Sequence, residues 1–170
     1  ADMKDQADSY REQMIESAAE ANEELTQMVL HDHLTKLPNR TLLEDRLSQA
    51  INKAARSQGH FALMFMDLDG FKAINDSLGH HVGDRMLVEV AQRLTGAMRA
   101  HDTVARLGGD EFVILVELAQ PEDAMPVAEK LVEVVNLPFR LAEQELRVSA
   151  SVGIAIYPED GATRHDLVIN

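Results

Sequence analysis

Apolar residues follow three rhythms along this chain, and each rhythm predicts a different element. Over residues 1–30 they are sparse, and Met14, Ala18, Ala21, Leu25 and Met28 stand 4, 3, 4 and 3 apart, the spacing of a short coiled-coil seam. No Gly or Pro interrupts this stretch, and the seam fades upstream, where Lys4 and Arg11 occupy its phase. From His31 the pattern becomes that of a mixed α/β domain. Leu34, Leu37 and Pro38 lead into a helix over Arg40–Ser57 that carries Leu43, Leu47, Ala50, Ile51 and Ala54 on one face and ends at Gly59. Phe61–Met66 is an unbroken apolar run, too short for a helix and suited to a strand buried on both faces. A helix over Val82–Arg99 follows, with Leu87, Val90, Ala91, Leu94 and Met98 at helical spacing.

Val104–Leu107 and Phe112–Val116 read as two strands of a hairpin around Gly108-Gly109. Next comes a helix over residues 122–136. Leu146, Val148, Ala150, Val152, Ile154 and Ile156 then alternate as in a half-buried strand. The predicted order after residue 31 is helix, strand, helix, hairpin, helix, strand: an α/β (α+β) domain with a central sheet flanked by helices, preceded by a long N-terminal helix. Thr163–Asn170 reads as the opening turns of one more helix, so the expectation is that a C-terminal portion is missing.

Composition narrows the function. Sixteen Lys and Arg against 29 Asp and Glu give a net charge of -13. The sign is wrong for a nucleic-acid partner, although a nucleotide could still be held by a divalent metal and a few local cations. There is no cysteine, hence no disulfide, thiolate metal site or Cys nucleophile. No apolar run is long enough to span a membrane and the start lacks a signal-peptide pattern, so the segment is expected to be soluble, cytoplasmic and without direct membrane contact. Residues 1–30 hold eight acids against Lys4 and Arg11. Two readings stay open for them: a solvated surface helix, or a signalling helix that pairs two protomers.

The candidate chemistry lies at the strand ends. Asp67 and Asp69 follow the buried run, and carboxylates two apart on an extended chain point to one face. Asp110 and Glu111 follow the glycine pair. If the hairpin pairs with the buried strand, four carboxylates converge at one sheet edge, and oxygen donors without His or Cys suit Mg²⁺ or Mn²⁺. Two such ions would serve phosphoryl or nucleotidyl transfer. Taken singly, each feature has an ordinary explanation. Asp-x-Asp can be a turn and helix cap, Gly-Gly a tight turn, and Asp-Glu a solvated tip. Their joint occurrence is what carries weight. The adjacent His80 and His81 would face apart at a helix start and read as structural.

Gly108-Gly109-Asp110-Glu111-Phe112 spells the signature of the GGDEF domains, the diguanylate cyclases, with Asp in an accepted place at the third position. Three further blocks stand in that family's order. His31-Asp32-His33-Leu34-Thr35-Lys36-Leu37-Pro38-Asn39-Arg40 resembles the motif that joins a signalling helix to the domain. Asp67-Leu68-Asp69-Gly70-Phe71-Lys72-Ala73-Ile74-Asn75-Asp76, followed by Gly79-His80 and Gly83-Asp84, resembles the substrate-binding block. Arg99-Ala100-His101-Asp102 stands at the RxxD spacing.

The resemblance covers residues 31–170 and implies a sheet like that of nucleotidyl cyclases and polymerase palms. It implies condensation of two GTP into cyclic di-GMP with release of two pyrophosphates, Mg²⁺ or Mn²⁺ as cofactor (two per active site), and a homodimer with facing half-sites. By the same resemblance Asp67, the Leu68 carbonyl, Asp110 and Glu111 would be metal ligands. Asp110, Glu111 and Lys72 would be catalytic, with Glu111 near the attacking 3′-hydroxyl and Lys72 on phosphate. Asn75 and Asp84 would read guanine, and Phe71, Gly108 and Gly109 would line the substrate. Arg99 and Asp102 would form a site where product binds back and inhibits. The family continues with a further helix and a last strand, which are expected to be lacking here. It also implies a sensor upstream, in a parent protein that could be membrane-anchored elsewhere. The segment around Leu42–Leu47 resembles tandem proteins with a phosphodiesterase domain downstream. The alternative function is a non-catalytic regulatory module that binds GTP or cyclic di-GMP and signals by dimerisation.

Overall fold

A computed structural model describes residues 2–169. Helix α1 (Asp2–Leu30) stands first and ends in a turn closed by a bridge between His31 and Pro38. Helix α2 (Arg40–Ser57) opens on Asn39, whose side chain accepts from the Leu42 amide, and closes on Gln58 in a left-handed conformation. Strand β1 (His60–Asp69) follows, then α3 (Phe71–Leu78), α4 (His80–Ala97), β2 (Thr103–Gly108) and β3 (Glu111–Leu118). The chain continues through α5 (Ala124–Asn136), β4 (Phe139–Leu141), β5 (Gln144–Leu146) and β6 (Ser149–Tyr157) to α6 (Arg164–Ile169).

The main sheet is antiparallel in the order β2-β3-β1-β6. Its two inner strands are β1 and β3, the strands whose apolar runs are covered on both faces. Ala62, Met64, Met66 and Leu68 face α4 and α5 together with Phe112, Ile114 and Val116. Phe61 and Leu63 face α2 and Leu167 of α6, together with Val113 and Leu115. Phe61 also stacks on Tyr157 at 4.9 Å between ring centroids.

Three differences from the sequence expectation bear on the site. Both Asp67 and Asp69 belong to β1 rather than following it. Residues 71–78 form a separate helix between Gly70 and Gly79, both at positive φ. The alternating run from Leu146 is split, with Leu146 in a small β4–β5 hairpin and β6 starting only at Ser149. Among the described residues, no helix is long and apolar enough to cross a membrane.

Candidate active site

The β1–β3 register sets the site. Met66 lies opposite Phe112 and Asp67 opposite Glu111, while on the other edge Asp67 lies opposite Ser151 and Asp69 opposite Ser149. Directly opposed residues share a face, so the Asp67 and Glu111 carboxylates project side by side where α2 no longer covers the sheet. Like charges in that position destabilise a strand pair, and among the described residues neither carboxylate forms an ion pair or hydrogen bond within the protein. Leu68 points the other way into the core, which leaves its backbone at the site.

Asp69 goes elsewhere. Its carboxylate accepts from Ser151 Oγ at 2.9 and 3.0 Å and from Ser149 Oγ at 3.2 Å, which turns it toward β6. The expected convergence of four carboxylates is therefore a facing pair, Asp67 and Glu111, with half-buried Asp110 in the adjoining turn. Among the described residues no three acidic or histidine side chains are close enough to form a metal cage. The donor set still fits Mg²⁺, which takes one or two carboxylates and completes its shell with water and phosphate oxygens.

The turn between β2 and β3 is built on glycine for a stated reason. Gly108 has φ 145° and Gly109 φ 49°, conformations that side chains disfavour, and no Cβ stands between this backbone and an approaching phosphate. Arg106, two residues before Gly108, donates from Nε and Nη2 to Gly109 O and from Nη1 to Asp32. Partial burial would raise the Asp32 carboxyl, but the Thr35 amide and hydroxyl and the Arg106 guanidinium outweigh it and hold it below its ordinary value.

Helices α3 and α4 form the second wall. Gly79 closes α3 through its amide to Asn75 O and accepts from the Gly83 amide in the first turn of α4, so the two helices meet at a sharp corner. A Cβ on Gly83 would overlap Asn75 Oδ1; the glycine is what lets Asn75 lie against α4, one residue from Asp84. Asn75 Oδ1 is buried without a hydrogen-bond partner. Such an acceptor costs about 1–3 kcal/mol, a cost that a turn of the amide toward a ligand N–H would relieve. Asp84 beside it is exposed, as is Lys72 in the first turn of α3. The Phe71 side chain is buried and packs beneath Gly83.

Arg99 and Asp102 lie by the other end of β3, beside Glu117. Asp102 Oδ2 accepts from the Arg99 amide at 3.1 Å and from its Nε at 3.2 Å, and Arg99 Nη2 donates to Glu117 O at 2.7 Å. Together with Lys130 they line a depression of about 280 Å³. Lys130 was not singled out by sequence, because a lone lysine on a helix carries no signal until the fold brings it to Arg99. The structure thus brings together Asp67 with Glu111 and Asn75 with Asp84, and keeps Arg99 and Asp102 as a separate pair.

The family described as "Diguanylate cyclase, GGDEF domain" matches residues 29–170. The chain is 60% identical over 154 residues to the bifunctional diguanylate cyclase/cyclic di-GMP phosphodiesterase MucR of Pseudomonas aeruginosa, covering 91% of this chain and 22% of that protein. Its fold is similar to a solved GGDEF domain of TpbB from Pseudomonas aeruginosa, with TM-score 0.79, 44% identity and 82% of each chain covered. It is also similar to the coiled coil and GGDEF domain of DgcB from Caulobacter crescentus in complex with c-di-GMP, with TM-score 0.82, 26% identity, 96% of this chain and 86% of that one covered. The chain spans about a fifth of the length of MucR and a third of that of the diguanylate cyclase TpbB.

Proposed function

Because the chain belongs to the GGDEF family of diguanylate cyclase domains, we propose that residues 31–170 condense two molecules of GTP into cyclic di-GMP, with residues 1–30 as the stalk that pairs two copies. The observation that carries this reading is the facing pair of Asp67 and Glu111, two uncompensated carboxylates beneath a two-glycine turn. Asp67, Glu111 and Asp110 would hold Mg²⁺ or Mn²⁺ with the Leu68 carbonyl. The metal, when bound, offsets charge on the triphosphate and lowers the pKa of a coordinated hydroxyl.

The remaining work falls to the chain. Asn75 Oδ1 and the Asp84 carboxylate accept from the guanine N1–H and exocyclic amine, which adenine does not offer as a pair. The Gly108-Gly109 backbone admits the phosphates, and Lys72 contacts them. The 3′-hydroxyl oxygen of one GTP attacks the α-phosphorus of the other. A P–O bond forms there, the bond to the β-phosphate oxygen breaks, and pyrophosphate leaves. The hydroxyl proton passes to a base, a role for which Glu111 is the candidate. Each protomer holds one GTP, so two half-sites face each other and the step occurs twice. Arg99 and Asp102, with Lys130, would hold returned product as an inhibitor. The parent protein would carry further signalling modules, as the length of MucR against this chain allows.

The test is Mg²⁺-dependent GTP turnover with the product identified by mass. Cyclic di-GMP should form, fall at least about 100-fold in Glu111→Gln, and accumulate longer in Arg99→Ala. A folded, dimeric sample that makes none would replace the cyclase by a regulatory module that binds nucleotide without turning it over.

A further inference from the structure

Arg106 makes more bonds than a strand arginine needs. Its amide donates to Pro38 O at 3.0 Å. Its Nη1 donates to both oxygens of Asp32 at 3.0 and 3.1 Å, and its Nε and Nη2 donate to Gly109 O at 3.1 and 2.9 Å. Only 12% of its side chain is exposed, and 17% of that of Asp32. One rigid guanidinium therefore joins the turn after α1 to the turn that carries the signature carboxylates.

Both ends of this link are held. Asp32 also accepts from the Thr35 amide at 2.8 Å and hydroxyl at 2.7 Å. Beyond it, the Asn39 amide donates to Leu30 O at 2.9 Å, Asn39 Nδ2 donates to Val29 O at 2.6 Å, and Asn39 Oδ1 receives the Leu42 amide at 3.2 Å. Asn39 thus caps the end of α1 and the start of α2 at once.

The Asp32 arm ties two turns together, and the second arm satisfies the remaining donors of a largely buried guanidinium. The second arm goes to the residue least able to hold itself. Gly109 has no side chain and sits at φ 49°, so without the Arg106 bonds little would hold the peptide plane between it and Asp110. That plane leads directly into Asp110 and into Glu111, the first residue of β3, whose pairing with Asp67 and Gly108 begins there.

We propose that Arg106 is a positioning residue: by clamping the Gly109 carbonyl against Asp32, it fixes the backbone from which Asp110 and Glu111 project and ties the site to the end of α1. The effect on turnover rests on the cyclase reading above; the clamp itself does not. Outer residues that orient ligand-bearing groups typically contribute 10–100-fold to affinity or rate.

The experiment compares the full chain with Arg106→Lys, Arg106→Ala, Asp32→Asn and the Asp32→Asn/Arg106→Ala double variant. Arg106→Lys is the decisive one, since an ammonium can keep the ion pair with Asp32 but cannot span both partners. It should stay folded, lower kcat about 10-fold or more and raise the Mg²⁺ needed for half-maximal turnover by a similar factor, with KM for GTP at saturating Mg²⁺ within about threefold. Hydrogen exchange at residues 108–111 should quicken, and Mn²⁺ binding, followed by the electron paramagnetic resonance of free Mn²⁺, should weaken. Asp32→Asn should give part of the same change, and the double variant should be no worse than Arg106→Ala, because the two residues act in series. Lysine and alanine variants that keep the kcat and Mg²⁺ demand of the parent, losing only thermal stability, would overturn the proposal. A parent chain that makes no cyclic di-GMP would sink the cyclase reading instead. Exchange and Mn²⁺ binding would then decide on the clamp: weaker binding with faster exchange in Arg106→Lys upholds it, and no change overturns it.

Discussion

Gly83 shows how one absent methyl group can shape a binding wall. Its Cα faces Asn75, and a Cβ there would overlap Asn75 Oδ1 and come within 3.3 Å of Phe71 Cζ. Alanine favours a helix over glycine by about 1 kcal/mol, so Gly83→Ala should fold about as stably as the parent. The same methyl drives the Asn75 amide out of its place beside Asp84. On the guanine reading, that removes one acceptor from the base. Titration calorimetry should show GTP affinity reduced about 10-fold, the equivalent of one hydrogen bond, with the thermal midpoint shifted by only a few degrees. Unchanged affinity would detach Asn75 from the base.

At the scale of elements, α5 depends on a residue outside it. The helix has no basic residue in its last turn, and Arg93 of α4 serves its end instead. Arg93 donates to Val134 O at 3.0 Å, Leu137 O at 2.7 Å and Pro138 O at 2.6 Å, pairs with Glu89, and lies 3.6 Å over the Phe139 ring centroid. Arg93→Ala strips these carbonyls of their donor and the ring of its cation. It should cost about 2–3 kcal/mol in urea unfolding, and lysine should recover only part, because a single ammonium cannot address the spread of partners.

Legibility divides along the same line between local and distant. The helix over Arg40–Ser57 is legible to its ends because its apolar face is continuous and Pro38 and Gly59 stand just outside it. The other long helix starts at His80, two residues before its apolar pattern does, since its start rests on Gly79 rather than on a side-chain cap. Helix α3 was missed because eight residues are too few to show a period. The β4–β5 hairpin was missed because Ala142 and Glu143 make its turn at φ 52° and 60°, where an Asn-Gly signal would normally announce it. The facing of Asp67 and Glu111 was expected from the hairpin, whereas the turning away of Asp69 depends on two serines 80 and 82 residues distant. Nothing local in Asp32 or Arg106 announces a contact across 74 residues.

The whole molecule raises the question of what α1 is for. It spans 29 residues, and Met14, Leu25 and Met28 of its seam are exposed. Its ties to the rest of the chain lie at its C-terminal end, through Val29, Leu30 and Asn39. Pairing would bury its exposed apolar seam, while eight acids against two bases on each copy oppose it by charge. Two consequences follow for a stalk that joins two copies. Sedimentation should show a dimer that tightens as salt is raised, because screening removes repulsion without touching the apolar seam, and Leu25→Glu should shift it to monomer. On the cyclase reading each half-site would need the other at a set rotation. Asn39 on Val29 and Leu30, together with Arg106 on Asp32 and Gly109, holds the end of α1 to the signature turn. Seven residues inserted between Met28 and His31 in helical phase should therefore preserve turnover. Two inserted residues, which turn the helix by about 200°, should abolish it while leaving the dimer. Turnover indifferent to both insertions would mean that the stalk tethers the two domains without orienting them.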